Sequence, residues 1–310
     1  MSLILRGVKK VQRDGPRAAL RAVSTALRIL AQNREYFINP HVKKNSRLPE
    51  RNDAKICDDL RSLGIPVISH TIDVEDFYDW LEGAQWPSYY IEACDRRNDI
   101  WPNLFADKAV EHYVSAALLD LTDADTLIDV GANISPWYGM VERIYGCVGY
   151  ALDRSFPPGV HGKRIGADGT EMPLPDGFAT KIALHSAYEQ FQGTADSGLL
   201  SEAHRVLDEN GKMVILPLQL DNFYYVLLSP LYTDTRTLDC GGAEVVWDDY
   251  RWPLLFERWY SVEAFNERVV MNLSGFMLKI YYVNNAHEVF KDVQWPRYYT
   301  RFAALFEKIA

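Results

Sequence analysis

The sequence predicts an α/β fold in which helices wrap a mainly parallel β-sheet. From residue 126 onward, short apolar runs typical of buried strands alternate with segments of helical periodicity. The connections between these segments are short, which is typical of successive βαβ units. Turn signals such as Gly131 and the DENG stretch at 208–211 separate them.

Local sequence places the elements of this alternation. The first strand, 127–130, is apolar apart from Asp129 and runs into the turn at Gly131. Ser135 as N-cap and Pro136 at the first helical position predict a helix over 136–145. Further strands are predicted at 148–152, 164–166, 180–184 and 212–216, and a further helix at 196–207.

The flanking segments are predicted in the same way. A strand is expected at 67–72, a helix at 73–81, and a helix at 108–119 that begins at Asp107 as its cap. Residues 219–275, rich in Tyr, Trp and Pro, interrupt the alternation. A strand at 276–284 and a terminal helix at 297–308 are expected to close the chain.

An amphipathic helix is predicted at 16–33. The apolar residues at helical spacing are Leu20, Val23, Leu27 and Leu30, and the arginines on another face are Arg17, Arg21 and Arg28. Such a helix suits peripheral membrane contact or partner docking. Packing on the acidic body, or on the second subunit of a homodimer, is favoured because the apolar face lacks Trp and Phe.

The charge is divided unevenly along the chain. Residues 1–55 carry 13 Lys and Arg against 4 Asp and Glu, a net charge of +9. The remainder carries 20 against 38, a net charge of −18, which argues against broad nucleic-acid binding. No apolar run approaches the ~20 residues that span a bilayer, and no signal peptide is recognised, so a cytoplasmic location is expected. Cysteine and carboxylate spacings predict no metal site.

Five motifs in fixed order carry a more specific pattern. They are DVGANIS at 129–135, Asp153 at the end of the second strand, ADGTEMPLPDGF at 167–178, KIALHSAYEQF at 181–191 and EAHRVLDENGKMVILP at 202–217. In order and spacing they resemble the class I S-adenosylmethionine-dependent methyltransferases, with a methyltransferase type 11-like core over 126–218. Two departures are the loss of the later glycines of the usual Gly-x-Gly-x-Gly loop and Lys181 where an acidic residue often stands.

The resemblance implies a Rossmann-like, seven-stranded, mostly parallel sheet flanked by helices. It implies a methyltransferase domain at 101–310 with a substrate-side, aromatic-rich cap inserted at 219–275. Residues 1–100 lie outside the resemblance and are predicted to form a basic, helical extension and possible lid. The helix with Lys108, Glu111 and His112 is the one that often covers the cofactor in this family; a solvated face is the alternative for these charges. Trp86–Tyr90 and Tyr224-Tyr225 are aromatic segments that suit an acceptor pocket or, as favoured, the core.

The resemblance also assigns cofactor-binding roles. Gly131 would let the backbone approach the methionine end of S-adenosylmethionine, and Asp129 would orient the loop or the amino group. Asn133 would keep the turn, because Asn tolerates left-handed backbone angles. Asp153 would accept hydrogen bonds from the ribose hydroxyls. Asp168 and Gly169 would face the adenine. The alternatives are an ordinary tight turn at Asp129 and Gly131, a surface aspartate that ends a strand for Asp153, and a loop aspartate that caps local backbone for Asp168.

His185 and Glu189 are the candidate catalytic residues, at the exit of the fourth strand of the alternation. Histidine as a residue type exchanges protons near neutral pH, so this position suits a general base, a cofactor contact or a structural histidine equally. Glu189 is the reserve base. The leading hypothesis is methyl transfer to oxygen of a small molecule or glycan precursor. A catalytically inactive binding or scaffold protein is the alternative, and a nicotinamide dehydrogenase is disfavoured because Gly-x-Gly-x-x-Gly is missing.

Overall fold

The computed structural model describes residues 16–39, 42–44, 47–97, 103–231, 238–248, 255–289 and 300–309. The chain divides into two units. The smaller comprises Met1–Glu50 and Tyr225–Arg258, and the larger comprises Arg51–Tyr224 and Trp259–Ala310. The boundaries of these units differ from those predicted at residues 100, 219 and 275. The roles of residues 1–100 as a lid and of residues 219–275 as a cap stay predictions.

The strands in the described part of the chain are β1 (Val67–His70), β2 (Thr126–Val130), β3 (Val148–Leu152), β4 (Gly159–His161), β5 (Arg164–Gly166), β6 (Ala179–His185), β7 (Leu207–Leu216), β8 (Tyr225–Leu228), β9 (Glu244–Trp247), β10 (Phe256–Trp259), β11 (Phe276–Val283) and β12 (Phe302–Lys308). The α-helices there are α1 (Pro16–Gln32), α2 (Arg34–Ile38), α3 (Asp53–Ser62), α4 (Val74–Gly83), α5 (Ser88–Asp95), α6 (Leu104–Leu119), α7 (Trp137–Tyr145), α8 (Ala195–Val206), α9 (Val262–Arg268) and α10 (Ala286–Val289).

A nine-stranded sheet organises the larger unit, in the order β1-β11-β12-β7-β6-β2-β3-β5-β4. β5, β3, β2, β6 and β7 run parallel, whereas β12 runs antiparallel to both of its neighbours. The chain places β3 and β5 on one side of β2, and then β6 and β7 on the other. The strand order therefore reverses between β2 and β6. In open α/β sheets, ligands bind outside the carboxyl ends of the strands at such a point.

Apolar layers cover both faces of this sheet, which explains why its central strands are almost continuously apolar. On one face α6 packs onto strand residues Leu127, Ala183, Val214 and Leu216. On the other face α8 packs onto Ile128, Ile182, Met213 and Ile215. The predicted α/β fold and its mostly parallel sheet are confirmed.

Three details of the prediction are wrong. The sheet has nine strands rather than seven, because β1 and β4 are added at its two edges. The terminal segment forms strand β12 instead of a helix: Phe302–Leu305 lie between β7 and β11 with both faces buried, and such a run shows no period-2 alternation. The helix expected to start at Asp107 begins earlier, after Asn103, and Asp107 is buried in its first turn.

The smaller unit contains a three-stranded sheet in the order β10-β8-β9. Its core is formed by Val42, Val226, Leu228, Trp247 and Phe256. In the described ranges, no helix has both the length and the apolar character that crossing a bilayer requires.

Candidate active site

The turn after β2 brings backbone groups close to the end of β3. The amides of Gly131 and Ala132 both donate to the carbonyl of Leu152, at 2.8 and 3.1 Å. Gly131 has φ of +77° and Asn133 has φ of +42°, in the left-handed region that glycine and, less readily, asparagine adopt. The sequence GAN therefore permits the tight turn although the usual later glycines are absent.

Asp153 ties this turn to the loop after β3. Its Oδ2 accepts a hydrogen bond from the Asn133 amide at 2.9 Å, and its Oδ1 accepts one from the Ser155 amide at 2.7 Å. The residue is half-buried. Because each carboxylate oxygen has two lone pairs, both oxygens retain the capacity to accept a further bond.

Asp168 caps its own loop. Its Oδ1 accepts hydrogen bonds from the Thr170 amide at 3.0 Å and from the Thr170 hydroxyl at 2.8 Å. Its Oδ2 lies 3.6 Å from the Arg154 guanidinium. Gly169 is buried, and a methyl group there would lie 3.2 Å from both Phe191 and Val130.

The structure brings these carboxylates to one edge of the sheet. Val130 is paired with Leu152, and Leu152 with Ile165, so the carboxyl ends of β2, β3 and β5 lie side by side. Neighbouring strands are about 4.8 Å apart. Asp129 near the end of β2, Asp153 after β3 and Asp168 in the loop after β5 therefore lie along the same edge of the sheet.

Asp129 pairs with His185 across the reversal point. Asp129 Oδ1 lies 3.2 Å from His185 Nδ1, and His185 Nε2 lies 2.8 Å from Ser115 Oγ. An imidazole protonated on Nδ1 donates to Asp129 and accepts from the Ser115 hydroxyl, which satisfies both nitrogens. Asp129 Oδ2 is buried and has no hydrogen-bond partner among the residues that the structure describes.

Aromatic rings enclose His185, whose side chain is only 3% exposed. The ring centroids of His112 and Trp137 lie 4.6 and 4.4 Å from its own. His112 is in turn stacked on Trp86 at 5.3 Å. Burial, together with His185 and Lys108, lowers the pKa of His112 well below its usual value. His112 is therefore an uncharged, packed ring.

A second polar cluster joins α6 to the exit of β6. Lys108 Nζ donates to Glu111 Oε2 at 2.7 Å and to the Ser186 hydroxyl, which itself donates to Glu111 Oε1 at 2.8 Å. Ser186 has φ of +47°. Burial alone would lower the pKa of Lys108, but Glu111, Asp107 and Glu189 outweigh it and raise that pKa.

The segment after β6 lies directly over the turn. Ala187 faces Gly131 so closely that a methyl group at residue 131 would lie 2.5 Å from the Ala187 Cβ. Glu189 follows in the short 3₁₀ turn Tyr188–Gln190 and is buried. It lies near enough to Lys108 to act on its charge.

Some residues of this site were not singled out by sequence reasoning. Ser115 and Ser186 hold His185 and Glu111, and neither was a candidate. The available signal was the spacing of four polar residues, Lys108, Glu111, His112 and Ser115, along one stripe of an otherwise apolar helix. Glu111, His112 and Ser115 are each at most 1% exposed. The interpretation that Glu111 and His112 belong to a solvated helix face is therefore wrong.

The aromatic segments lie in packed surroundings. Trp86 stacks on Tyr90 at 5.5 Å within the core beside α6, and Tyr224 stacks on Tyr260 at 5.9 Å. Tyr225 is fully buried in the smaller unit. These contacts agree with the favoured core interpretation.

No protein-family model and no curated protein matches this sequence. Many solved structures are similar to the chain, including the following three. A Burkholderia thailandensis 1,6-didemethyltoxoflavin-N1-methyltransferase, with its substrate and S-adenosylhomocysteine bound, is 12% identical over 79% of this chain and 94% of its own, with a TM-score of 0.44. A Haloferax volcanii putative methyltransferase, in complex with the Trm112 activator, is 14% identical over 68% and 97%, with a TM-score of 0.42. A Streptomyces coelicolor geranyl diphosphate C-methyltransferase is 11% identical over 66% and 81%, with a TM-score of 0.40.

Proposed function

We propose that this protein binds S-adenosylmethionine at the carboxyl ends of β2, β3 and β5 and transfers its methyl group to a small molecule or a glycan precursor. One observation carries the proposal: Asp129, Asp153 and Asp168 lie at or just beyond the carboxyl ends of three adjacent parallel strands, beside the point where the strand order reverses. The five methyltransferase-like motifs supply these residues, which supports this ligand over other nucleotides.

The residues present suit this cofactor. Asp129 Oδ2 is a buried acceptor that still needs a donor, and the ammonium group of the methionine part is such a donor. The turn at Gly131 and Asn133 exposes backbone to a ligand without side-chain obstruction from residue 131. Asp153 has lone pairs left for the two ribose hydroxyls, and the loop at Asp168 and Gly169 would face the adenine.

The cofactor supplies a methyl group already activated by its sulfonium, so the protein mainly aligns and shields the reactants. Alignment of this kind contributes ~7–11 kcal/mol to rate acceleration. The packed rings of His112 and Trp137 and the buried strand ends exclude water from the region around Asp129.

An O-methyl transfer additionally needs a group that accepts the hydroxyl proton. His185 has both ring nitrogens engaged by Asp129 and Ser115, so we assign it to hold Asp129 in place rather than to take the proton. Glu189, on the turn that follows β6, is then the proposed base. For an acceptor that is already nucleophilic at neutral pH, neither residue is needed for proton transfer.

A second candidate function is a binding or scaffold protein that keeps the fold without catalysis. The loss of the later glycines of the loop favours it, and Ala187 already fills the space beside Gly131 where a side chain would stand.

Mass spectrometry of gently purified protein separates the two functions. A retained adenosyl ligand, released by denaturation and identified by mass, is expected for the methyltransferase. If no such ligand is retained and added S-adenosylmethionine leaves the unfolding temperature unchanged, the scaffold function is supported instead.

A further inference from the structure

The first helix, α1, carries an apolar stripe that is exposed. Val23, Leu27 and Leu30, which recur at helical spacing, are 56%, 61% and 47% exposed. Phe37 and Ile38 in α2 are exposed as well. Nowhere else in the described ranges do three large apolar side chains as exposed as these fall within eight residues. Such a concentration marks an interaction surface rather than ordinary scatter.

The end of this helix is fixed to the smaller unit. The Asn33 side-chain amide donates to the carbonyl of Pro230 at 2.7 Å, and the ring of Tyr36 packs on Trp247 with centroids 5.6 Å apart. The stripe therefore belongs to an anchored helix, and its exposure is a property of how α1 joins its own unit.

The charge of this segment indicates what the stripe contacts. The α1 sequence contains three arginines and no carboxylate. Residues 1–34 carry eight Lys and Arg and one Asp, a net charge of +7. A helix with an aliphatic stripe and a polar face on which every charged residue is basic is typical of helices that lie in the interface of an anionic bilayer. Each basic residue near such a surface adds to the attraction.

A second copy of the chain fits the stripe less well. The stripe spans little more than one heptad, whereas a coiled coil needs three to four. Two such helices side by side would also bring their arginines together. We propose that α1 docks the protein on an anionic phospholipid surface, with the side chains of Val23, Leu27 and Leu30 inserted among the acyl chains near the headgroups.

Vesicle co-sedimentation of the full chain tests this proposal. The probes are 100 nm vesicles of phosphatidylcholine alone and of phosphatidylcholine with phosphatidylserine at 3:1. We expect binding to the anionic vesicles that weakens as salt is raised, and at least tenfold weaker partitioning for Leu27→Asp. Thr25→Asp is the matched control: it adds the same charge at an exposed position of α1 outside the stripe, and a much smaller loss is expected.

Three outcomes would overturn the proposal. They are no sedimentation of the wild-type chain with anionic vesicles, equal losses for both variants, and a dimer in sedimentation equilibrium that Leu27→Asp dissociates. The last result would assign the stripe to a second copy. Because residue 27 is exposed, both variants are expected to fold, and circular dichroism checks this. The outcome is independent of cofactor binding, so failure here leaves the methyltransferase proposal intact.

Discussion

Asp129 and His185 face each other across the point where the strand order of the sheet reverses, with Oδ1 and Nδ1 3.2 Å apart. The pair joins the adjacent ends of β2 and β6. This contact engages Oδ1 of Asp129 and Nδ1 of His185. The Ser115 hydroxyl engages the other ring nitrogen, Nε2. Asp129 Oδ2 is buried and has no hydrogen-bond partner among the described residues. The His185 ring, which is itself fixed, holds this acceptor in position.

Asp153→Ala should weaken binding of S-adenosylhomocysteine at least tenfold, because in the proposed site the carboxylate would accept hydrogen bonds from the ribose hydroxyls, and it also holds the Asn133 amide. Isothermal titration calorimetry measures the effect. Asp79→Ala, at an exposed aspartate of α4, is the matched control and should bind like wild type. Equal affinities for both variants would show that Asp153 does not contact the cofactor.

Gly131→Ala should destabilise the fold by about 1–3 kcal/mol, because the new methyl group would overlap Ala187 and residue 131 needs a positive φ. Urea unfolding gives the magnitude. The double variant Gly131→Ala with Ala187→Gly should recover the steric part of the loss but not the backbone part. Strict additivity of the two single changes would contradict the contact between residues 131 and 187.

Asp107→Asn should change how stability depends on pH. Burial and the nearby Glu111 raise the pKa of Asp107 to about 7 in the fold, whereas an unfolded Asp titrates near ~4. Between these values the folded protein binds the extra proton. The contribution of this proton to the free energy of unfolding is therefore present at low pH and is lost as the pH rises towards 7. The loss is at most ~1.4 kcal/mol per pH unit.

Urea unfolding from pH 4 to pH 8 measures this effect. The variant should gain stability relative to wild type as the pH rises, because its amide cannot ionise in the buried position. A constant difference between the two proteins across this range would show that the Asp107 carboxyl is not perturbed.

His112→Phe should change the pH dependence of the free energy of unfolding in the direction opposite to that of Asp107→Asn. The pKa of His112 is held well below 6.5 in the fold, so below that pH the unfolded chain binds a proton that the folded ring does not. The wild-type protein therefore loses stability on acidification below about pH 6.5. The phenylalanine keeps a ring beside Trp86 and removes this loss. Parallel pH profiles for variant and wild type would contradict the assignment.

How much of this structure the sequence predicts differs from element to element. Glycine and asparagine signals at Gly131 and Asn133, with apolar runs on either side, place β2, β3 and the turn between β2 and α7 correctly. β12 is missed because it is buried on both faces, and apolar periodicity then does not separate a strand from a helix.

The sequence likewise predicts the position of some residues of the candidate site and not of others. The placement of Asp129, Asp153 and Asp168 at one edge of the sheet is predictable, because parallel strands end there and the motifs lie at those ends; their cofactor-binding roles stay predictions. The cluster of Lys108, Glu111 and Ser186 joins residues more than 70 positions apart, and only the packing of α6 over β6 brings them together. The close approach of Ala187 to Gly131 likewise depends on tertiary packing.

Calorimetric titration of S-adenosylhomocysteine into the wild-type protein and into Asp129→Ala tests the central claim most directly. The account predicts one site per chain with a dissociation constant on the order of micromolar, and loss of most of that affinity in the variant, which removes the buried acceptor. Wild-type protein that takes up no ligand at millimolar concentration, or a variant that binds as tightly as wild type, would contradict it.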